Sequence, residues 1–268
     1  NLWAAWRSVR SNAGAAGVDQ QSVKMFGENA EKHLQALREE LETGTYQPQP
    51  VRRHWIDKLG SSEKRPLGIP AVRDRVVQTA LRNVLEPIFE NRFAPRSYGF
   101  RPGRGCKDAL RRVDHLLKAG STWVLDADLK GYFDSIPHEQ LIAAVEEQIA
   151  DGRVIDLLRS YLQAGVMDGL KFWIPERGTP QGAVISPLLA NLYLDPLDHM
   201  MAEEGYQMVR YADDFVILCR SEAEAQAARE RVREWSEAHG LTLHPKKTRL
   251  VDATQKGGFD FLGYHFER

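Results

Sequence analysis

Two acidic clusters carry the chemistry legible in this 268-residue sequence. In VRYADDFVILC, Asp213 and Asp214 stand side by side between two short apolar runs, 209–212 and 215–219. A two-residue connection between apolar strands is hairpin geometry, so both carboxylates fall at a hairpin tip. Like charges held together repel, and burial raises the cost. Aspartate is also an ordinary turn residue, which is the purely structural alternative. A second cluster weighs against that alternative. In VLDADLKGYFD, Asp126 and Asp128 share one strand face by the period-two rule, with Asp134 beyond. Carboxylates from two neighbouring strand ends can hold two divalent ions ~4 Å apart, the arrangement that phosphoryl transfer uses. Magnesium favours carboxylate and phosphate oxygens, and no His or Cys accompanies the cluster.

The elements that must position these carboxylates follow from periodicity. Residues 29–43, 74–90 and 107–118 predict amphipathic helices. Residues 122–128 read as a buried strand. Helical periodicity returns at 138–149, 153–164 and 181–201. After the hairpin, Ser221 and Glu224 form a capping box that opens a helix, which Gly240 stops. Two further strands are expected near 248–252 and 259–266. Helices first, then strands interleaved with helices, predict an α+β fold with helices on one face of a mainly antiparallel sheet. The 122–128 strand and the Asp213–Asp214 hairpin are its expected centre.

Composition narrows the function. The chain is 43% hydrophobic, which suits a folded protein and excludes a disordered one. Its formal net charge of −1 argues against holding a polyanion by bulk charge. That average hides a split. Residues 51–112 contain 15 Lys and Arg against 6 Asp and Glu, a net +9, while the rest of the chain is net −10. Tyr98, Phe100 and several Gly and Pro are interleaved with the arginines, a mixture suited to phosphate contacts and stacking. A solvated surface is the plainer reading. Cys106 and Cys219 are far apart and form no ligand spacing, so a zinc module and a disulfide framework are not indicated. The expected setting is reducing, cytoplasmic and free of membrane. The apolar stretch 183–194 is too short and interrupted to span a bilayer, and the first residues lack a signal-peptide core.

The motifs, taken in order, resemble the reverse transcriptases, in the style of group II intron-encoded proteins. YADD with DADLKGYFD upstream is similar to motifs C and A of that family. SEKRPLGIP and the 74–90 helix resemble the fingers segment, and SYGFRPGRGCKDAL resembles the block that follows. GTPQGAVISPLLANLYLDPLD is similar to motif B, LTLHPKKTRLV to motif D and FDFLGYHF to the primer grip. AGAAGVDQQSV resembles the extra block that precedes the fingers in non-retroviral members. The resemblance implies the fingers and palm of a right-hand polymerase, with 1–120 as mainly helical fingers and 121–268 as palm. Part of 136–180 is expected to return to the fingers. The thumb, which follows the primer grip in the family, has no counterpart before residue 268.

What the resemblance implies for function is RNA-directed DNA synthesis, with the chain as the catalytic part of a group II intron reverse transcriptase and maturase. A retron, CRISPR-associated or phage-defence lineage is the alternative, as is a maturase that only grips intron RNA. Partners would be an RNA template, a DNA or RNA primer, deoxynucleoside triphosphates and intron RNA. The cofactor would be two Mg²⁺ ions, with Mn²⁺ as a substitute. Asp128, Asp213 and Asp214 match the metal-binding carboxylates, while Asp126 and Asp134 match no catalytic position. Phe133 occupies the place of the aromatic under the sugar, where a ring excludes a 2′-hydroxyl. A core aromatic is its alternative role. Lys58 and Arg65 match the triphosphate clamp, Gln181 the motif B glutamine at the head of its helix, and Lys247 the motif D lysine. Arg101 and Arg104 are expected on template or primer phosphates, and Phe261, Leu262, Gly263 and Tyr264 on the primer end. Solvated charge or a core strand is the plainer reading for several of these.

Overall fold

The computed structural model describes residues 1–57 and 64–268. In chain order the elements begin with α1 (Leu2–Asn12), α2 (Val23–Glu28), α3 (Ala30–Thr43), β1 (Val51–Asp57), β2 (Lys64–Ile69) and α4 (Val72–Glu90). Next come α5 (Cys106–Lys118), β3 (Trp123–Asp128), α6 (Tyr132–Ser135), α7 (His138–Glu146), α8 (Gly152–Leu162), β4 (Val166–Asp168) and β5 (Lys171–Trp173). The last part contains α9 (Ser186–Glu203), β6 (Gln207–Tyr211), β7 (Asp214–Cys219), α10 (Glu222–Ala238), β8 (Arg249–Asp252), β9 (Phe259–Phe261) and β10 (Tyr264–Phe266).

These elements form two compact units, each discontinuous in sequence. One comprises Asn1–Phe89 and Pro137–Leu189. Its sheet has the order β2-β1-β4-β5. In its helices, the buried Leu34 and Leu37 of α3 and Ile155 and Leu158 of α8 recur at helical spacing, which is why those segments fold as helices. Asp151 caps α8 through the Arg153 N–H. Residues 51–57 and 64–69 of this unit supply β1 and β2.

The second unit comprises Glu90–Ile136 and Ala190–Arg268, and it contains both acidic clusters. Its antiparallel sheet has the order β6-β7-β3-β8. β3 and β7 are central, with Val124 opposite Leu218, Asp126 opposite Val216 and Asp128 opposite Asp214. Phe215, Val216, Ile217 and Leu218 are consecutive and at most 1% exposed, so both faces of β7 are covered. This corrects the expectation of helices on one face only. Ala109, Val113, Leu116 and Leu117 of α5 share a cluster with Val124, Val216 and Leu218, and α10 also packs on β3, β7 and β8. The expected boundary at residue 120 shifts for the same reason: α5 packs on β6 and β7, so 90–120 belongs with the acidic strands.

Three local expectations need correction. The motif B helix starts at Ser186 rather than at 181. The Gly68 N–H donates to the Gln181 carbonyl at 2.6 Å and Gly182 takes φ +99°, so this backbone is engaged with β2 and cannot enter a helix. The strand expected at 259–266 is instead the hairpin β9–β10, folded at Leu262 and Gly263, both with positive φ. In the acidic hairpin, Asp214 pairs with Tyr211, so the two loop residues are Ala212 and Asp213.

Candidate active site

Asp128 ends β3 and Asp214 begins β7, and the antiparallel register sets them directly opposite. Asp213 precedes Asp214 in the turn. Directly opposed like charges destabilise a sheet, so this register has an electrostatic cost. Burial and then the charges of Asp126, Asp213 and Asp128 push Asp214 up to about 7, against a lowering by Lys247. Asp126 is also raised, first by burial, although its carboxylate accepts from Arg249 Nε at 2.9 Å. Asp126 is thus braced across β3 and β8.

The segment after α10 closes the open end of β3. The His244 N–H donates to the Asp128 carbonyl at 2.7 Å, and Lys130 N–H donates to Thr242. That anchoring carries Lys247 to Asp128, with Nζ 2.7 Å from Oδ2. An ammonium here offsets part of the carboxylate charge. Among the described residues, no group of three or more His, Cys, Asp and Glu could hold a metal ion unaided. The donor set nevertheless fits magnesium. It is all oxygen, and Mg²⁺ is usually held by one or two carboxylates plus substrate phosphates rather than by a protein cage.

A pH dependence follows. Asp214 is raised in the folded state, so its contribution to metal-free stability is complete below about pH 4 and is lost as pH rises toward 7. Cation binding needs the carboxylate, so it gains over the same range. In thermal denaturation, the Tm increase produced by Mg²⁺ should be larger at pH 8 than at pH 6. An equal increase at both would contradict the assignment.

Phe133 is buried on α6 with its ring 5.6 Å from that of Tyr132, whose hydroxyl donates to the Ala190 carbonyl. Arg65 is exposed on β2 and Gln181 lies half-buried in the turn before α9, both in the other unit. Lys58 lies outside the described residues. In the C-terminal hairpin, Phe261 is a core residue, Leu262 and Gly263 make the turn, and Tyr264 is exposed.

Arg101 departs from its expected role. Its side chain is buried and donates to the Glu90 carboxylate and to the carbonyls of Ala94 and Ser97. It staples residues 90–101 together and presents no donor to a phosphate. Arg104 is partly exposed, donates to the Pro95 carbonyl at 2.6 Å and lies over the Tyr98 ring. A count of basic residues cannot distinguish such inward arginines from solvated ones.

Sequence reasoning passed over Arg210, Asp198, Asn191 and Gly99. Arg210 and Asp198 form a buried ion pair, and Asn191 donates to the Gly99 carbonyl. A Cβ on Gly99 would lie 2.3 Å from the Ala212 nitrogen, so the two backbones meet with no room for a side chain. The available signal was the Arg in VRYADD, an ionisable residue inside an otherwise apolar strand.

The family described as reverse transcriptase (RNA-dependent DNA polymerase) matches residues 56–266. Protein YkfC of Escherichia coli K12 is 37% identical over 303 residues, covering 98% of this chain and 79% of that protein. The group II intron-encoded protein LtrA of Lactococcus lactis is 38% identical over 203 residues, covering 75% of this chain and 33% of that protein. Telomerase from Candida albicans shares the fold, with a TM-score of 0.60 at 15% identity over 90% of this chain and 48% of that one. No helix among the described residues is long and apolar enough to cross a membrane. The chain belongs to the reverse transcriptase family, in its group II intron-encoded type.

Proposed function

We propose that this chain extends a primer with deoxynucleotides along an RNA template, as the catalytic part of an intron reverse transcriptase and maturase. The observation that carries the reading is the cross-strand pairing of Asp128 with Asp214, with Asp213 in the adjoining turn. The unit with these residues is proposed as the palm and the other as the fingers. Two Mg²⁺ ions held by Asp128, Asp213 and Asp214 would make the primer 3′-hydroxyl a better nucleophile and neutralise the leaving pyrophosphate.

The remaining roles belong to the chain itself. Asp126 and Arg249 hold β3 against β8, which keeps Asp128 at the strand end. Lys247, already at Asp128, is proposed to exchange that contact for the triphosphate and to give a proton to the leaving group. Phe133 is proposed to lie under the sugar and exclude a 2′-hydroxyl. The roles of Lys58, Arg65 and Gln181 toward the triphosphate, of Arg104 toward template or primer phosphates, and of Leu262, Gly263 and Tyr264 toward the primer end rest on the family alone.

The test is primer extension on an RNA template with Mg²⁺ and either deoxynucleotides or ribonucleotides. The expected product is DNA, with ribonucleotides strongly disfavoured. Phe133→Ala should raise the relative use of ribonucleotides by about 10–100-fold, equivalent to removing roughly 1.4–2.7 kcal/mol of discrimination. Absence of any extension would remove the polymerase reading. Unchanged sugar selection in a folded Phe133→Ala variant would remove the Phe133 role alone.

A further inference from the structure

Arg210 is fully buried on β6, two residues before the acidic turn. Its Nε donates to both oxygens of Asp198, and Nη2 donates to the same carboxylate. Its Nη1 donates to Asn191 Oδ1 at 2.9 Å and to the Ala212 carbonyl at 2.8 Å. Asp198 and Asn191 lie two turns apart on α9, so one helix face presents both. Asn191 in turn donates to the Gly99 carbonyl at 2.7 Å, and Gly99 backs directly onto Ala212. Tyr98 N–H donates to the Arg210 carbonyl and Arg210 N–H to Arg96, so this strand is also fixed along its outer edge.

The carbonyl that Arg210 holds belongs to the peptide joining Ala212 to Asp213, and Gly99 backs onto the preceding peptide, between Tyr211 and Ala212. Ala212 has φ +59°, a conformation that L residues rarely adopt and that glycine usually supplies at the first position of a tight hairpin. Such strain persists only where surrounding contacts over-determine it. A buried ion pair is weak evidence for stability, because well-packed apolar residues often replace one without loss. An apolar pair could fill the same volume, but it could not donate to the Ala212 carbonyl. We infer that Arg210 is a positioning residue that fixes the Ala212–Asp213 peptide and so aims the Asp213 carboxylate at the metal-binding site. The inference rests on the polymerase reading for its catalytic consequence, though not for its structural one.

The test pairs two variants in the full chain. Arg210→Met/Asp198→Leu removes both charges and leaves neither partner stranded. Arg210→Lys keeps a cation for Asp198 but lacks the second arm that reaches Ala212. Amide hydrogen exchange at residues 212–214 should accelerate about 10-fold or more in both folded variants. Mn²⁺ affinity, followed by calorimetry, should fall about fivefold or more, and kcat about 10–100-fold, while KM for primer–template stays within about twofold. Wild-type exchange and Mn²⁺ affinity in either folded variant would overturn the inference. If the double variant does not fold, Arg210→Lys decides it. If the wild-type chain extends no primer, the polymerase reading fails, and exchange at 212–214 still decides the positioning role.

Discussion

Asp213→Asn should lower Mg²⁺-dependent primer extension about 10³-fold or more while leaving the protein folded. That factor corresponds to about 4 kcal/mol of barrier, which is the scale of the charge stabilisation a bound metal supplies. The substitution keeps shape and turn chemistry, since Asn is as well suited as Asp to a tight loop. It removes one of the charges that raise Asp214, after burial and Asp126. Metal-free stability should therefore hold or rise slightly, while the Tm increase with Mg²⁺ shrinks. Primer extension and thermal denaturation with and without Mg²⁺ measure the two effects separately. Wild-type extension by the variant would reject the metal assignment. Loss of activity with a large loss of metal-free Tm would make Asp213 a structural residue instead.

Arg210→Ala should be the most destabilising of the arginine truncations in this unit. It strands Asp198, whose side chain is 5% exposed, without a countercharge. Breaking a buried pair from one side costs about 3–5 kcal/mol, whereas an exposed pair contributes about 0–1 kcal/mol. For a domain of 150–250 residues, each kcal/mol shifts Tm by about 2–4 °C, so a fall of roughly 6–20 °C is expected. Arg101→Ala provides the comparison. Its partner Glu90 is 25% exposed and can recover solvation, so the loss there should be smaller. Circular dichroism melts of the two variants give the order. A smaller fall for Arg210→Ala would show that Asp198 is relieved in some other way.

The physical basis of each motif decides how much of this was legible. The two acidic clusters were legible because carboxylates among apolar strand residues are costly unless used. The period-two rule then placed Asp126 and Asp128 on one face, and the register agrees. The capping residue Ser221 was legible because capping is local, and its hydroxyl accepts from Glu224 N–H. Contacts distant in sequence were not legible. The start of α9 is displaced by a bond between Gln181 and Gly68, a contact that no periodicity encodes. Arg101 and Arg210 were hidden for a related reason. An arginine in a list of charges reads as solvent-facing, and only the fold reveals that its donors point inward to Glu90, Asp198 and the backbone. The first two helices were missed because α2 is only 6 residues long and α1 buries only Ala5, Trp6 and Val9.

The division of each unit into two chain segments also sets an order of assembly. β3 is synthesised well before β7, its central partner, with 85 residues between them, and residues 137–189 of that interval belong to the other unit. At ~5–20 residues per second, the interval lasts about 4–17 s. Throughout it, the apolar Val124, Leu125 and Ala127 have no β7 strand to join. Once β6 and β7 have emerged, their hairpin can close within about 10 μs, because its two strands are adjacent in sequence. The carboxylates of Asp128 and Asp214 therefore meet only after β7 has emerged, and a nascent chain halted before β7 has Asp128 but no site.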